Sequence, residues 1–365
     1  MEEIDVVIIG AGVTGLACGK FVAARGHSVC LIERHPRPGA ETSTHNSGVI
    51  HAGMYYPAGA LKTRLCVEGR PLLYEFCRER RIEHRRSGKL VVATLETEVP
   101  GLEALHARGE ANGVERLQIV DRTFIAKREP NIRAIAGLFS PDTGIVDADG
   151  LVRSLLAAAR EEGAIFLPGT SIVSADRSAS AILVRTGSET IVARQVINAA
   201  GLYADEVSHL LGGESFTIYP CRGEYAELAM SKRSLVSGPV YPLPHSGGHG
   251  LGVHLTPSTA GNVWIGPTTR YQQRKDDYEH DRLPLEAFVE PTRALLPDIT
   301  LADLRLSGSG IRPKLHPPAE SFADFIIRRD TRNPRLIQAA GIESPGLTAC
   351  LAIGRMIANL VDEFA

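Results

Sequence analysis

Residues Ile4-Asp5-Val6-Val7-Ile8-Ile9 form an apolar run that breaks at Gly10-Ala11-Gly12-Val13-Thr14-Gly15. A buried strand ending in G-x-G-x-x-G confines the chain to a small set of α/β arrangements, because each glycine answers a separate steric demand. The first permits the tight turn, the second lets the backbone approach a pyrophosphate, and the third lets helix pack on strand. The spacing predicts a helix over residues 16–25 and a second strand over 28–32, ending in Glu33, eighteen residues beyond Gly15. A carboxylate there suits a ribose hydroxyl pair and repels a 2′-phosphate. Read as a bare αβ turn, the glycines would leave Glu33 without a reason.

The bulk properties narrow the partners. A chain of 365 residues exceeds the usual single-domain size, which favours two domains around one dinucleotide. Forty basic and 42 acidic residues give a formal charge of −2, so no global field draws nucleic acid or an anionic membrane. The six cysteines are scattered without C-x-x-C or zinc spacing and read as buried thiols of a reducing compartment, and no metal set is expected. The first apolar stretch is already a strand of the fold, not a signal segment. The expected location is cytoplasmic, with peripheral membrane contact left open.

Along the chain, residues 36–57 are a loop rich in Gly, Pro, Ser, Thr and His. Apolar spacing near 3.6 predicts a helix over 61–80, followed by a strand over 89–94. Asp149 is the expected N-cap of a helix over 151–162. Strands are expected over 164–167, 171–175, 181–186 and 195–201, and a helix from about Ala204. Residues 216–304 read as strand-rich and poor in helix. The end repeats a strand–glycine–helix form, with a strand over 335–341 and a helix over 347–363. The domains therefore interleave: 1–80, 145–215 and 305–365 in one, 81–144 and 216–304 in the other.

These motifs resemble the D-amino-acid-oxidase-like FAD-dependent oxidoreductases over essentially the whole chain. Gly10, Gly12 and Gly15, with Val13 and Thr14 between them, match the ADP-binding part together with Glu33 and Arg34. Asn198-Ala199-Ala200-Gly201 resembles the family's second adenosine-side strand, and Gly341-Ile342-Glu343-Ser344-Pro345-Gly346-Leu347-Thr348 its carboxy-terminal flavin loop. Within the family, the 45–56, 61–69, 222–225, 251–257 and 265–267 segments are similar to L-2-hydroxyglutarate dehydrogenases/oxidases. Gly310-Ile311-Arg312-Pro313 resembles the arginine motif of glycine-oxidase relatives, while 314–319 matches no family segment. The resemblance implies an α/β fold: a Rossmann-type FAD-binding domain of three-layer ββα form, interleaved with an α+β substrate domain on a mixed β-sheet. FAD is expected to be held without a covalent bond.

Oxidising a 2-hydroxy or 2-amino acid requires a held carboxylate, a Cα–H aimed at the flavin, and a base for the remaining proton. Arg312 is the expected carboxylate anchor, because a guanidinium fork matches a carboxylate. His51 and His254 are the candidate bases. His254 should point opposite to Val253 and Leu255. Tyr56, Lys62, Arg222 and Tyr225 are candidates for a distal carboxylate, with rim or salt-bridge roles as their alternative. Thr42, Ser43, Asn46 and Ser47 either bind the cofactor's pyrophosphate or ribityl chain or serve turn chemistry. The expected substrate is a small carboxylate, L-2-hydroxyglutarate foremost; the rivals are an amine or amino-acid oxidase, a glycerol-3-phosphate-type enzyme, and more distantly a nicotinamide dehydrogenase or an RNA-modifying relative. The electron acceptor (oxygen, a quinone or a protein) is open.

Overall fold

The computed structural model describes residues 3–178, 180–244 and 252–364. The first strand, Glu3–Ile9, lies inside an eight-stranded sheet, and every residue of it after Asp5 is buried. It runs parallel to Val29–Ile32 on one side and to Thr190–Asn198 on the other. Ile165–Leu167 extends the sheet beyond Val29–Ile32. The strand Thr190–Asn198 is longer than its sequence signal because its two ends serve different partners. Residues 190–193 close an antiparallel hairpin with Ile182–Thr186, while 196–198 run parallel to Leu336–Ala340. The helices Val13–Ala23, Leu61–Glu79, Ala148–Glu161 and Gly346–Asp362 share one apolar core with this sheet.

That layer of helices decides where a ligand sits. In an open α/β sheet the crevice lies beyond the carboxyl ends of the parallel strands, here at Gly10, Glu33 and Ala199.

The second sheet has nine strands. Its spine is the antiparallel pair Tyr219–Leu228 and Leu304–Lys314, paired from Tyr219↔Lys314 to Leu228↔Leu304 with a one-residue shift of register between Glu224 and Ala226. His254–Pro257 pairs with Val263–Gly266 and with Val240–Pro242, which runs parallel to Lys89–Ala93. A separate core on Leu90, Val92, Ala226 and Leu255 holds it. A small third sheet, Val49–Ile50 with Gly144–Val146 and His84–Arg85, sits where the chain passes between the two.

Three expectations are corrected. The helix expected from 151 starts at Ala148, with Asp147 at the cap position and Asp149 already in its first turn. The strand Leu304–Lys314 belongs to the second sheet, although the sequence division gave residues from 305 to the cofactor unit; its pairing with Tyr219–Leu228 decides this. The helix expected over 16–25 runs from Val13 to Ala23, while residues 216–304 are poor in helix as expected, with the seven-residue Val289–Leu295 among them. All six cysteines are free and buried. Among the described residues no helix is long and apolar enough to cross a membrane.

Candidate active site

Two adjoining cavities run from the carboxyl end of the first strand to the face of the second sheet. The smaller is about 280 Å³ and the larger about 550 Å³. They share Gly12, Thr42, Ser43, Ala199 and Gly201, so together they form one elongated trough bent around the first helix N-terminus.

The smaller cavity carries the expected adenosine-side residues. Gly10 has φ +101°, and a Cβ there would lie 2.4 Å from the Ala199 carbonyl oxygen. A Cβ on Gly12 would lie 2.8 Å from Ser43 Oγ, in the junction of the two cavities. Gly15 does not line either cavity; it packs against the Gly10 carbonyl, which is the helix-on-strand contact its position requires. Glu33 is buried, and its two carboxylate oxygens accept from Ala11 N at 2.8 Å and His35 N at 2.9 Å. Each oxygen keeps a lone pair for a hydroxyl. Arg34 lies over the Tyr203 ring at 3.7 Å and pairs with Glu41, closing the far wall with Ala200 and Gly201.

The loop between the cavities divides its labour. Thr42 Oγ1 donates to Ile311 O at 2.9 Å, and Asn46 Nδ2 donates to Ser43 O at 2.8 Å, so both side chains shape the loop. Ser43 Oγ accepts from Val13 N at 3.0 Å at the start of the helix. Val13 and Thr14 line the larger cavity beside it, and Ser47 shares a hydrogen bond with the cavity-lining Tyr225.

At the far end Ser344, Pro345, Gly346 and Leu347 bring the N-terminus of helix Gly346–Asp362 to the larger cavity. Its free N–H groups and dipole favour negative charge there. Gly341, at φ +68°, turns the chain into this loop without lining the cavity. Thr348 lies behind the wall, where its Oγ1 accepts from His51 N at 2.9 Å and so fixes the histidine backbone.

The larger cavity gathers most of the candidate catalytic side chains. Arg312 Nη2 donates to Thr268 O at 2.7 Å and its Nε to Cys221 O at 3.4 Å. No carboxylate pairs with it among the described residues, and Nη1 keeps its donors. Leu255 packs into the second-sheet core, while its neighbour His254 faces the cavity and stacks on Tyr241, centroids 3.7 Å apart at 14°. Leu251 of that segment lies outside the described residues. His51 Nε2 meets Ser344 Oγ at 3.2 Å.

Burial first, and the nearby Lys89 ammonium second, hold both imidazoles down to about 3. They are therefore uncharged at neutral pH, and each has a buried Nδ1 without a partner among the described residues. Arg312 adds a smaller push on His254 in the same direction.

Of the four distal-carboxylate candidates, three line this cavity. Tyr56 OH donates to Ser344 Oγ at 3.3 Å, Tyr225 is there, and Lys62 Nζ is tied to Glu343 Oε1 at 2.9 Å. Arg222 is not in the cavity. It is wholly buried, paired with Glu224 at 3.0 Å, and donates to the backbone carbonyls of Asp277, His280 and Asp281, so it ties a loop to the sheet.

Several residues here were not singled out from sequence. Glu343 takes both Lys62 and Lys314, 3.1 Å away at its other oxygen. Burial alone would raise the Glu343 carboxyl, but the two ammonium groups overcome it and hold it at about 2. Tyr55 and Tyr241 line the cavity, and the Lys89 nitrogen lies against both rings, 4.4 and 4.5 Å from their centroids. The signal for Lys89 was present: a lysine opening an otherwise apolar run, on the face of Val91 and Ala93.

Comparison with known proteins agrees with this geometry. A family profile described as FAD dependent oxidoreductase matches residues 5–360. L-2-hydroxyglutarate dehydrogenase, mitochondrial, of Arabidopsis thaliana is 34% identical, over 98% of this chain and 83% of the relative. The protein of that name from Homo sapiens is 30% identical, over 99% and 89%. Among solved structures, the dithionite-reduced L-alpha-glycerophosphate oxidase of Mycoplasma pneumoniae with FAD bound superposes with a TM-score of 0.91 at 28% identity, covering 99% of this chain and 95% of that one. Glycine oxidase of Geobacillus kaustophilus, at 24% identity and TM-score 0.85, shares the fold over 100% of this chain and 95% of its own. The glycine cradle, the Glu33 carboxylate and the two joined cavities fit a dinucleotide in its extended form. The chain belongs to the FAD-dependent oxidoreductases of the D-amino-acid-oxidase type, and FAD is its cofactor.

Proposed function

We propose that the protein oxidises a small 2-hydroxy acid, L-2-hydroxyglutarate to 2-oxoglutarate. The observation that carries this is one cavity holding an arginine free of any carboxylate partner beside two uncharged imidazoles. Bound FAD supplies the acceptor for the hydride, at N5.

The carboxylate of the substrate docks on Arg312, whose backbone bonds to Thr268 and Cys221 fix the plane of the guanidinium before the substrate arrives. The fork then sets which face of C2 is presented. Loss of hydride from C2 must be matched by loss of the hydroxyl proton, and a neutral imidazole nitrogen can take it. His254 and His51 are both deprotonated in advance. A pKa of about 3 makes a weak base, but an anionic substrate beside the ring favours the imidazolium and raises it toward the working range. Tyr225, Tyr241 and Tyr55 wall the cavity, lowering the local dielectric in which these charges act.

The hydroxy-acid reading is supported over amine oxidation by the relatives: the Arabidopsis thaliana and Homo sapiens proteins named for L-2-hydroxyglutarate match nearly the whole chain at 34% and 30% identity, whereas the glycine oxidase is below 25%. The test is turnover of the FAD-loaded protein with an artificial dye, so that the natural acceptor does not enter. L-2-hydroxyglutarate, its D-enantiomer, glycine, sarcosine and glycerol 3-phosphate are offered in turn, and the product is identified. 2-Oxoglutarate from the L-enantiomer is expected; ammonia or glyoxylate from an amino acid, or no turnover of any hydroxy acid, would overturn the reading.

A further inference from the structure

Lys89 is the most anomalous side chain in the molecule. It is 1% exposed, its nitrogen has no hydrogen-bond partner among the described residues, and burial brings it down to about 7, so that it is only part ammonium at neutral pH. Among the described residues no carboxylate is paired with it; its close contacts are the ring of Tyr55, 4.4 Å from the nitrogen, and that of Tyr241, at 4.5 Å. A buried cation costs several kcal/mol unless an anion meets it, and ring faces offset only part of that.

Other polar atoms around it are unpartnered as well: Tyr55 Oη, Thr256 Oγ1, His254 Nδ1 and His51 Nδ1. Tyr55, His51 and His254, with Tyr241, all line the larger cavity, whereas Thr256 does not. Glu343 cannot serve them, because it already holds Lys62 and Lys314. Arg312 and Lys89 both lie close enough to His254 to depress it, which puts the two cations on the same candidate base.

We propose that the Tyr55–Lys89–Tyr241 corner is an anion subsite that selects substrates carrying a second carboxylate, the first being held by Arg312. This rests on the hydroxy-acid reading above and names its substrate class: a dicarboxylic 2-hydroxy acid. A carboxylate at the edge of the two rings meets the unpartnered Tyr55 hydroxyl first, with the Lys89 nitrogen behind the rings. The ammonium gains a counter-ion it lacks in the unliganded protein, and a monocarboxylate leaves it bare. A five-carbon diacid separates its carboxylates by about 5 Å over four carbon–carbon bonds, and this is the span that the proposal requires between the two anchors.

The corner also carries a stability signature. If Lys89 were structural, its removal would weaken the fold; if it is held bare for a ligand, replacing it by an apolar side chain of similar length relieves the protein.

The experiment uses the FAD-loaded protein and two ligands that cannot be oxidised, glutarate and butyrate, titrated against the visible flavin spectrum. The wild type is expected to bind glutarate at least about tenfold more tightly than butyrate, the size of one added charge pair at an effective dielectric near 20. Lys89→Met is expected to bring the two within about twofold, to leave butyrate affinity unchanged, and to have a melting temperature no lower than the wild type without ligand. A preference for glutarate that survives in Lys89→Met, or an equal loss for both ligands with a lower melting temperature, overturns the proposal. Should Lys89→Met fail to hold FAD, Tyr55→Phe decides: it removes only the hydroxyl, and an unchanged glutarate-to-butyrate ratio overturns the proposal. A glutarate preference in a protein that oxidises no 2-hydroxy acid would uphold the subsite and reject the proposed reaction.

Discussion

Glu343→Gln is expected to destabilise the folded protein strongly at neutral pH and progressively less as the pH falls toward 2. The carboxylate lies 2.9 Å from Lys62 Nζ and 3.1 Å from Lys314 Nζ, and both its own side chain and that of Lys62 are under one tenth exposed. Burial pushes the carboxyl up, yet the two ammonium groups bring it down from 4.5 to about 2. At about 1.4 kcal/mol per pH unit, that difference amounts to roughly 3 kcal/mol in favour of the folded state. The sign follows from a depressed folded pKa: the contribution is complete above the ordinary value of 4.5 and is lost as pH falls toward 2. The amide keeps the shape but leaves Lys62 buried without its anion, a loss in the range of about 3–5 kcal/mol for a broken buried pair. Thermal unfolding of the FAD-loaded wild type and Glu343→Gln at pH 7, 4 and 3 measures this. A drop of several degrees is expected at pH 7, shrinking through pH 4 and 3, with Lys62→Met/Glu343→Gln recovering most of it because no bare charge remains at Lys62. Equal stability at pH 7, or a deficit that does not shrink in acid, would refute the reasoning.

Other expectations bear on the site itself. Arg312→Ala should raise KM for the hydroxy acid by about 10–100-fold with flavin retained, the value of a charge-assisted hydrogen bond; a normal KM removes Arg312 from the site. Replacing the proton acceptor, His254→Ala or His51→Ala, should slow flavin reduction by about 100-fold or more; unchanged rates in both leave neither as the base. Because both imidazoles are held to about 3, kcat/KM should show no inflection near 6.5 between pH 5 and 7, and a drop in that window on acidification would contradict their placement. Gly10→Ala should yield protein without bound flavin, since its Cβ would press on the Ala199 carbonyl; a full flavin spectrum would show that the turn can relax.

The residues legible from sequence were those whose role is fixed by near neighbours. The strand, the glycine turn, the helix and Glu33 lie within 30 residues, and steric demands in so short a span leave few readings. His254 could be placed because strand alternation decides which way it points, and Arg312 because Gly310-Ile311-Arg312-Pro313 resembles an arginine motif of the family. Arg222 shows the limit: a strand arginine at a family-like position, its fate settled by Glu224 and by carbonyls at 277–281, more than fifty residues away. Residues 305–314 were given to the cofactor unit for the same reason, since a strand does not carry the name of its partner. Lys89 was passed over because a lysine at a strand end ordinarily faces solvent, and only the closure of Tyr55 and Tyr241 over it makes it buried.

The decisive measurement is the anaerobic visible spectrum of the FAD-loaded protein before and after L-2-hydroxyglutarate, with the D-enantiomer, glycine, sarcosine and glycerol 3-phosphate as parallel additions. Bleaching of the flavin by L-2-hydroxyglutarate, with 2-oxoglutarate formed in equal amount, is the expected result. A flavin spectrum that stays oxidised with L-2-hydroxyglutarate but is bleached by an amino acid or by glycerol 3-phosphate would contradict the assignment of Arg312 and the imidazoles to a 2-hydroxy acid.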